Sequence, residues 1–131
     1  MGLAERRLAE QIKTEQVPPF LADLQAAMGF APQVDIEWPT FMTETQYPLT
    51  RMEGNLLTPL VEAMKNIGRD AMGKEALAES IQKVVIRNGP SSEQATVALA
   101  DKTLTLTAAL SDDTYFSLGG SDIVRYLEPK L

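Results

Sequence analysis

A chain of 131 residues with 44% hydrophobic and 23% charged side chains has the composition of one soluble core, which excludes a disordered tail, a fibrous repeat or a low-complexity linker. Cysteine and histidine are both absent, so disulfides, thiolate nucleophiles, Cys-type zinc sites and Ser-His-Asp chemistry are excluded. The net charge of −6 is spread as −4 over residues 1–50, +1 over 51–90 and −3 over 91–131, a balance that argues against phosphate backbones and anionic membranes as partners.

Residues 3–16 read as a first helix, with Ala4, Leu8 and Ile12 at four-residue steps, Leu3 beside them and an Arg6–Glu10 pair. Val17-Pro18-Pro19 then interrupts the chain and makes residues 1–17 a candidate separable helical arm. Pro19 suits the first turn of a second helix, in which Phe20, Leu21, Leu24, Ala27 and Met28 form a wide apolar face, and Gly29 stands at the C-cap.

Val34, Ile36 and Trp38 alternate with Asp35 and Glu37, the period of a half-buried strand over 34–38. Residues 40–50 read as a loop. Thr50-Arg51-Met52-Glu53 matches a capping box, predicting a short turn at 50–57 and a main helix at 59–67 with Thr58 as N-cap. Leu56, Leu57, Leu60, Val61, Met64 and Ile67 supply its apolar face. A further helix is expected at 74–83 and a strand at 84–88, closed by the turn signal Asn88-Gly89-Pro90. Val97 and Leu99, then Leu104 and Leu106, alternate with small and hydroxyl residues around Asp101-Lys102. They predict a hairpin, although its turn lacks the usual glycine. Ser121 is the expected N-cap of a closing helix carrying Ile123, Val124 and Leu127.

Strands that follow one another through short turns favour antiparallel pairing, and alternation in 34–38 and 103–107 agrees. The expected fold is α+β: one domain over 1–131, with helices packed on one face of a small antiparallel sheet of about four strands, the last three a C-terminal meander.

Two short motifs invite chemical readings. Gly68-Arg69-Asp70-Ala71-Met72-Gly73-Lys74 fits G-x-x-x-x-G-K, but Glu75 replaces the Ser or Thr that would hold Mg²⁺, and a helix rather than a strand is expected before it. A glycine-containing helix–helix turn explains it better. Ser80 and Lys83 fit S-x-x-K without either companion motif, and a surface pair on one helix explains them.

Asp35 and Glu37, two apart on one strand, can share a proton or bind a hard cation, or simply line a solvated sheet face. Asp112 and Asp113 read as a solvated acidic loop, without the pattern of a calcium loop. Trp38, Phe41 and Tyr47 cluster around two prolines and offer an aromatic binding edge, against which stands the in-phase position of Trp38 with the core. No catalytic, cofactor or metal residue is assigned.

The leading expectation is a small acidic cytoplasmic protein, bacterial in type and non-catalytic. It works by binding another protein, in the manner of an inhibitor or immunity partner of a basic target. No nucleic acid or membrane is expected as partner, and a homodimer through the first helix is a candidate assembly. The alternatives are a carboxylate-dependent enzyme or enzyme subunit using Asp35, Glu37, Asp112 and Asp113, and a small-ligand domain. Missing cysteine and the lack of an apolar leader behind Arg6-Arg7 are the grounds for the cytoplasm.

Overall fold

A computed structural model describes residues 2–89, 95–111 and 118–131. Helix α1 (Leu3–Glu15) passes through Gln16 into α2 (Val17–Met28), whose first turn accommodates the prolines, since their missing N–H groups have no helical partner there. The side chains that α1 buries are Ala9 and Ile12, with Leu8 partly buried, while Leu3 and Ala4 are exposed. The stripe is thus rotated from the expected one. It packs on α2 and on the helix at Tyr47–Met52 of the same chain.

Strand β1 (Gln33–Ile36) ends earlier than expected, and Trp38 instead opens the short helix α3 (Trp38–Phe41), with Pro39 in its first turn. The expected loop at 40–50 contains the second half of α3 and most of α4 (Tyr47–Met52). Helix α4 continues through a π-helical turn (Glu53–Leu57) into α5 (Thr58–Ile67). Neither Thr50 nor Thr58 is a side-chain cap: the Thr50 hydroxyl donates back to the Tyr47 carbonyl at 3.3 Å, and Thr58 continues a helical backbone. Pro59 offers no N–H to the preceding turn, and the wider π ring, closed by Thr58 N–H donating to the Glu53 carbonyl, is compatible with that loss.

Helix α6 (Ala71–Ser80) begins at Asp70, whose carboxylate accepts the Gly73 N–H at 2.8 Å. The glycines of the apparent phosphate motif have a packing role. A Cβ on Gly68 would stand 2.3 Å from the Ala27 carbonyl oxygen, and one on Gly73 would stand 1.7 Å from that of Ile67. The segment joins two helices, which corrects any phosphate-loop reading. Ser80 closes α6 and Lys83 opens the next strand, so they do not share a helix face.

Strands β2 (Lys83–Asn88), β3 (Thr96–Ala100) and β4 (Thr103–Ala108) complete a four-stranded sheet in the order β1-β2-β4-β3. The expected hairpin of β3 and β4 is present, with Val97 opposite Leu106 and Leu99 opposite Leu104. Asp101 and Lys102 form its turn with φ of 52° and 60°, the left-handed pair that a two-residue hairpin requires, achieved here without glycine. The rest of the expected antiparallel arrangement is overturned. β2 pairs with β1 and with β4 in parallel, so β4 lies between β2 and β3 and there is no three-stranded meander. The sheet is mixed. β3 lies at the outer position and the hairpin returns β4 beside β2, so β2 and β4 run the same way.

Val84, Ile86, Leu104, Leu106 and Ala108 are buried from one sheet face and join Leu24, Met28, Met52, Leu60, Met64 and Leu77 from the helices in one core. Helix α7 (Gly120–Leu127) adds Ile123 and Leu127. Its first turn is closed by Asp122, whose carboxylate accepts the Gly119 N–H at 3.0 Å, rather than by Ser121. The Tyr126 hydroxyl accepts the Leu99 N–H at 2.9 Å and so occupies one backbone donor of the outer strand. A short 3₁₀ turn (Glu128–Lys130) follows.

Candidate functional site

The residues singled out in the sequence do not converge. Asp35 is exposed on β1. Glu37, just beyond that strand, lies 3.9 Å from the Arg87 Nε across the end of β2. Phe41 is fully buried and belongs to the core, so it cannot contribute to an exposed aromatic edge. Trp38 is partly buried against the core, with the Lys13 ammonium 4.9 Å from its ring centre. Tyr47 is exposed and carries the Arg51 guanidinium at 4.2 Å. Asp112 and Asp113 lie outside the described residues. Among the described residues, no group of three or more acidic side chains is placed to hold a metal ion.

A polar cleft of about 550 Å³ opens where the three parallel strands end, lined by Thr40, Thr43, Glu44, Thr45, Arg87, Asn88, Gly89 and Ser111. Its organiser is Asn88, a buried polar side chain that the sequence places in a turn signal. The Asn88 amide donates to the Thr40 carbonyl and to the Ser111 hydroxyl, each at 3.0 Å, and its oxygen accepts the Leu110 N–H at 2.9 Å. Its backbone N–H donates to the Thr40 hydroxyl at 3.0 Å, which in turn donates to the Glu37 carbonyl at 2.6 Å. One side chain therefore ties α3 to the ends of β2 and β4. Buried amides earn their place when every group is paired, as here, and the network is read first as structural.

The second concavity lies between α2 and the π turn with α5, and encloses about 320 Å³. Helical spacing builds both walls. Gln16, Pro19, Phe20 and Asp23 recur at three and four residues, and Leu57, Val61 and Lys65 recur at four, so each set projects from one side of its helix. Phe20, Leu57 and Val61 are the buried apolar part of the lining, which also holds four acidic residues, Glu15, Asp23, Glu53 and Glu62, and one basic residue, Lys65. The Gln16 Oε1 is buried and accepts no hydrogen bond among the described residues. Such an acceptor is costly to leave unpaired. The sequence offered no local signal for this groove, because its acids stand far apart along the chain, Glu15 and Asp23 in a segment of charge −4 and Glu53 and Glu62 in one of charge +1.

The chain matches no protein-family model, no curated protein and no solved structure. No helix among the described residues is long and apolar enough to cross a membrane.

Proposed function

We propose that this protein is a non-catalytic binding module that docks on a basic protein, in the manner of an inhibitor or immunity partner, in a reducing cytoplasm. The groove between α2 and α5 carries the reading: its lining combines four acidic residues and one lysine with Phe20, Leu57 and Val61, on a molecule of net charge −6. A basic partner would be steered to such a surface, and its apolar contacts would then hold it. The test uses two baits in a native lysate, the wild-type chain and one with Glu15, Glu53 and Glu62 changed to Gln and Asp23 to Asn. A basic protein retained by the wild type, released by raised salt and absent from the neutralised bait is the expected result. Identical capture by both baits would refute the reading.

A second reading, self-association, is favoured by the accessible sheet face. Parallel strands are generally covered on both faces. Here the row Asp35, Val85, Thr105 and Ala98 remains half-exposed or exposed across β1, β2, β4 and β3. Two acids, Asp35 and Glu37, offset two bases, Lys83 and Arg87, on or beside this face, so a second acidic copy meets little repulsion there. Light scattering should show a dimer at high concentration that Thr105→Arg abolishes. A monomer at all concentrations would remove this reading.

A further inference from the structure

We infer that Asn88-Gly89 is a deamidation site which the fold keeps closed and unfolding opens, so that a chain that has reacted while unfolded cannot return to the native state. The sequence holds three asparagines, Asn55, Asn66 and Asn88, followed by Leu56, Ile67 and Gly89. Cyclisation of an asparagine requires the next backbone nitrogen to reach its side-chain carbon, and glycine alone puts no side chain in the way of that approach. Asn88 is therefore the reactive asparagine by sequence. The structure puts it where the reaction is least accessible. Asn88 is 6% exposed and Gly89 is buried, whereas Asn55 is half-buried and Asn66 exposed.

The step is an internal displacement followed by hydrolysis. The Gly89 nitrogen gives its proton to water and bonds to Asn88 Cγ. The Cγ–Nδ2 bond breaks, and Nδ2 leaves as ammonia with a proton taken from water. Water then opens the cyclic imide at either carbonyl, so that amide and water become carboxylate and ammonium. The product is aspartate or, with the main chain rerouted through the side chain, isoaspartate. In the fold each participant is held. The Gly89 N–H donates to the Ala108 carbonyl at 2.6 Å, a bond that opposes loss of its proton and turns the nitrogen toward β4. The Asn88 amide donates to the Thr40 carbonyl and the Ser111 hydroxyl, and its oxygen accepts the Leu110 N–H, which fixes Cγ. Ring closure requires these bonds to be released together, an opening that detaches α3 from the strand ends.

The product does not fit the site it came from. An ionised carboxylate donates no hydrogen bond, so at position 88 it leaves the Thr40 carbonyl without its donor and sets a buried negative charge beside that oxygen. Isoaspartate also changes the length of main chain between β2 and Gly89, which breaks the Gly89–Ala108 bond at the end of the parallel pair. Chemical change that outpaces refolding is one way in which unfolding becomes irreversible. Asn88 is thus both the clamp of the polar strand ends and the residue whose loss prevents the clamp from forming again.

The experiment ages the full chain in mildly alkaline buffer, native and fully unfolded in urea, and follows each asparagine by peptide mass spectrometry. Asn88 should react about a hundredfold or more slower in the native state, because its rate there is scaled by the small fraction of open molecules. Asn55 and Asn66 should stay intact in urea while Asn88 is lost. On dilution from urea, the fraction that regains a cooperative unfolding transition should fall in step with loss of the Asn88 amide. Gly89→Ala, aged only in urea so that its own folding is not at issue, should slow that loss. Equal rates in the native and unfolded chain would overturn the protection. Reaction of Asn55 or Asn66 as fast as Asn88, or of Gly89→Ala as fast as the wild type, would overturn the assignment of the site. An aged chain that refolds as fully as a fresh one would overturn the consequence.

Discussion

The two faces of the sheet are built from the same strands, yet one presents Val84, Ile86, Leu104 and Leu106, all buried, and the other Lys83, Val85, Thr103 and Thr105, all partly exposed. The difference teaches what alternation along a strand reports. It records that one face meets a core and the other does not, and it is silent on the direction in which neighbouring strands run. Alternation usually accompanies antiparallel sheets because those are the sheets that leave a face wet. In this protein the alternating strands β2 and β4 are parallel neighbours. The accessible face, rather than the pairing, produces the pattern.

The largest expected effect breaks the contrast from its buried side. Leu106→Asp puts an unpaired carboxylate into the core and should destabilise the fold by about 4 kcal/mol or more, read as loss of the cooperative urea transition. Asn88→Ala comes next. It removes the acceptor of the Leu110 N–H and the donor to the Thr40 carbonyl, and about 3 kcal/mol of stability should be lost in the same titration.

The hairpin turn sharpens the contrast, because its geometry sets the register that assigns each residue of β3 and β4 to a face. Lys102 holds φ of 60°. Replacing it with Gly should relieve a left-handed strain and raise stability by about 1 kcal/mol, visible as a higher Tm. The smallest effect belongs to the accessible face. Thr105→Asp, one residue from Leu106 and pointing the other way, should change stability by no more than about 0.5–1 kcal/mol. Similar unfolding midpoints for Leu106→Asp and Thr105→Asp would show that the faces are not distinct.

How much of this was legible in the residues varies with the range of the interactions. Helices α1, α2, α5 and α7 and the β3–β4 hairpin follow from periodicity, and Gly29 sits at the α2 C-cap with φ of 86° as its sequence position suggests. Trp38 misled. Its phase with Val34 and Ile36 continues a strand, but Pro39 costs the strand a donor and suits a helix start, and α3 forms instead. The run 47–67 also resisted, because Gly54 and Pro59 normally punctuate and are here absorbed by a π turn within continuous helix. Of the candidate site residues, Glu37 reaches the polar strand ends and Phe41 disappears into the core.

By itself the sequence determined the long periodic helices, the β3–β4 hairpin and the absence of histidine and cysteine chemistry, since turns and periodic faces depend on neighbours within a few positions. Only the tertiary structure decided the strand order, the parallel pairing of β2 with both neighbours, the role of Asn88 and the groove beside Gln16. Each of these joins segments far apart in the chain: Asn88 bonds across 48 residues to Thr40, and the groove assembles acids from α1, α2, the π turn and α5. Sequence spacing carries no geometry over such distances; packing supplies it, because the chain must bury both helical stripes and one sheet face in a single core.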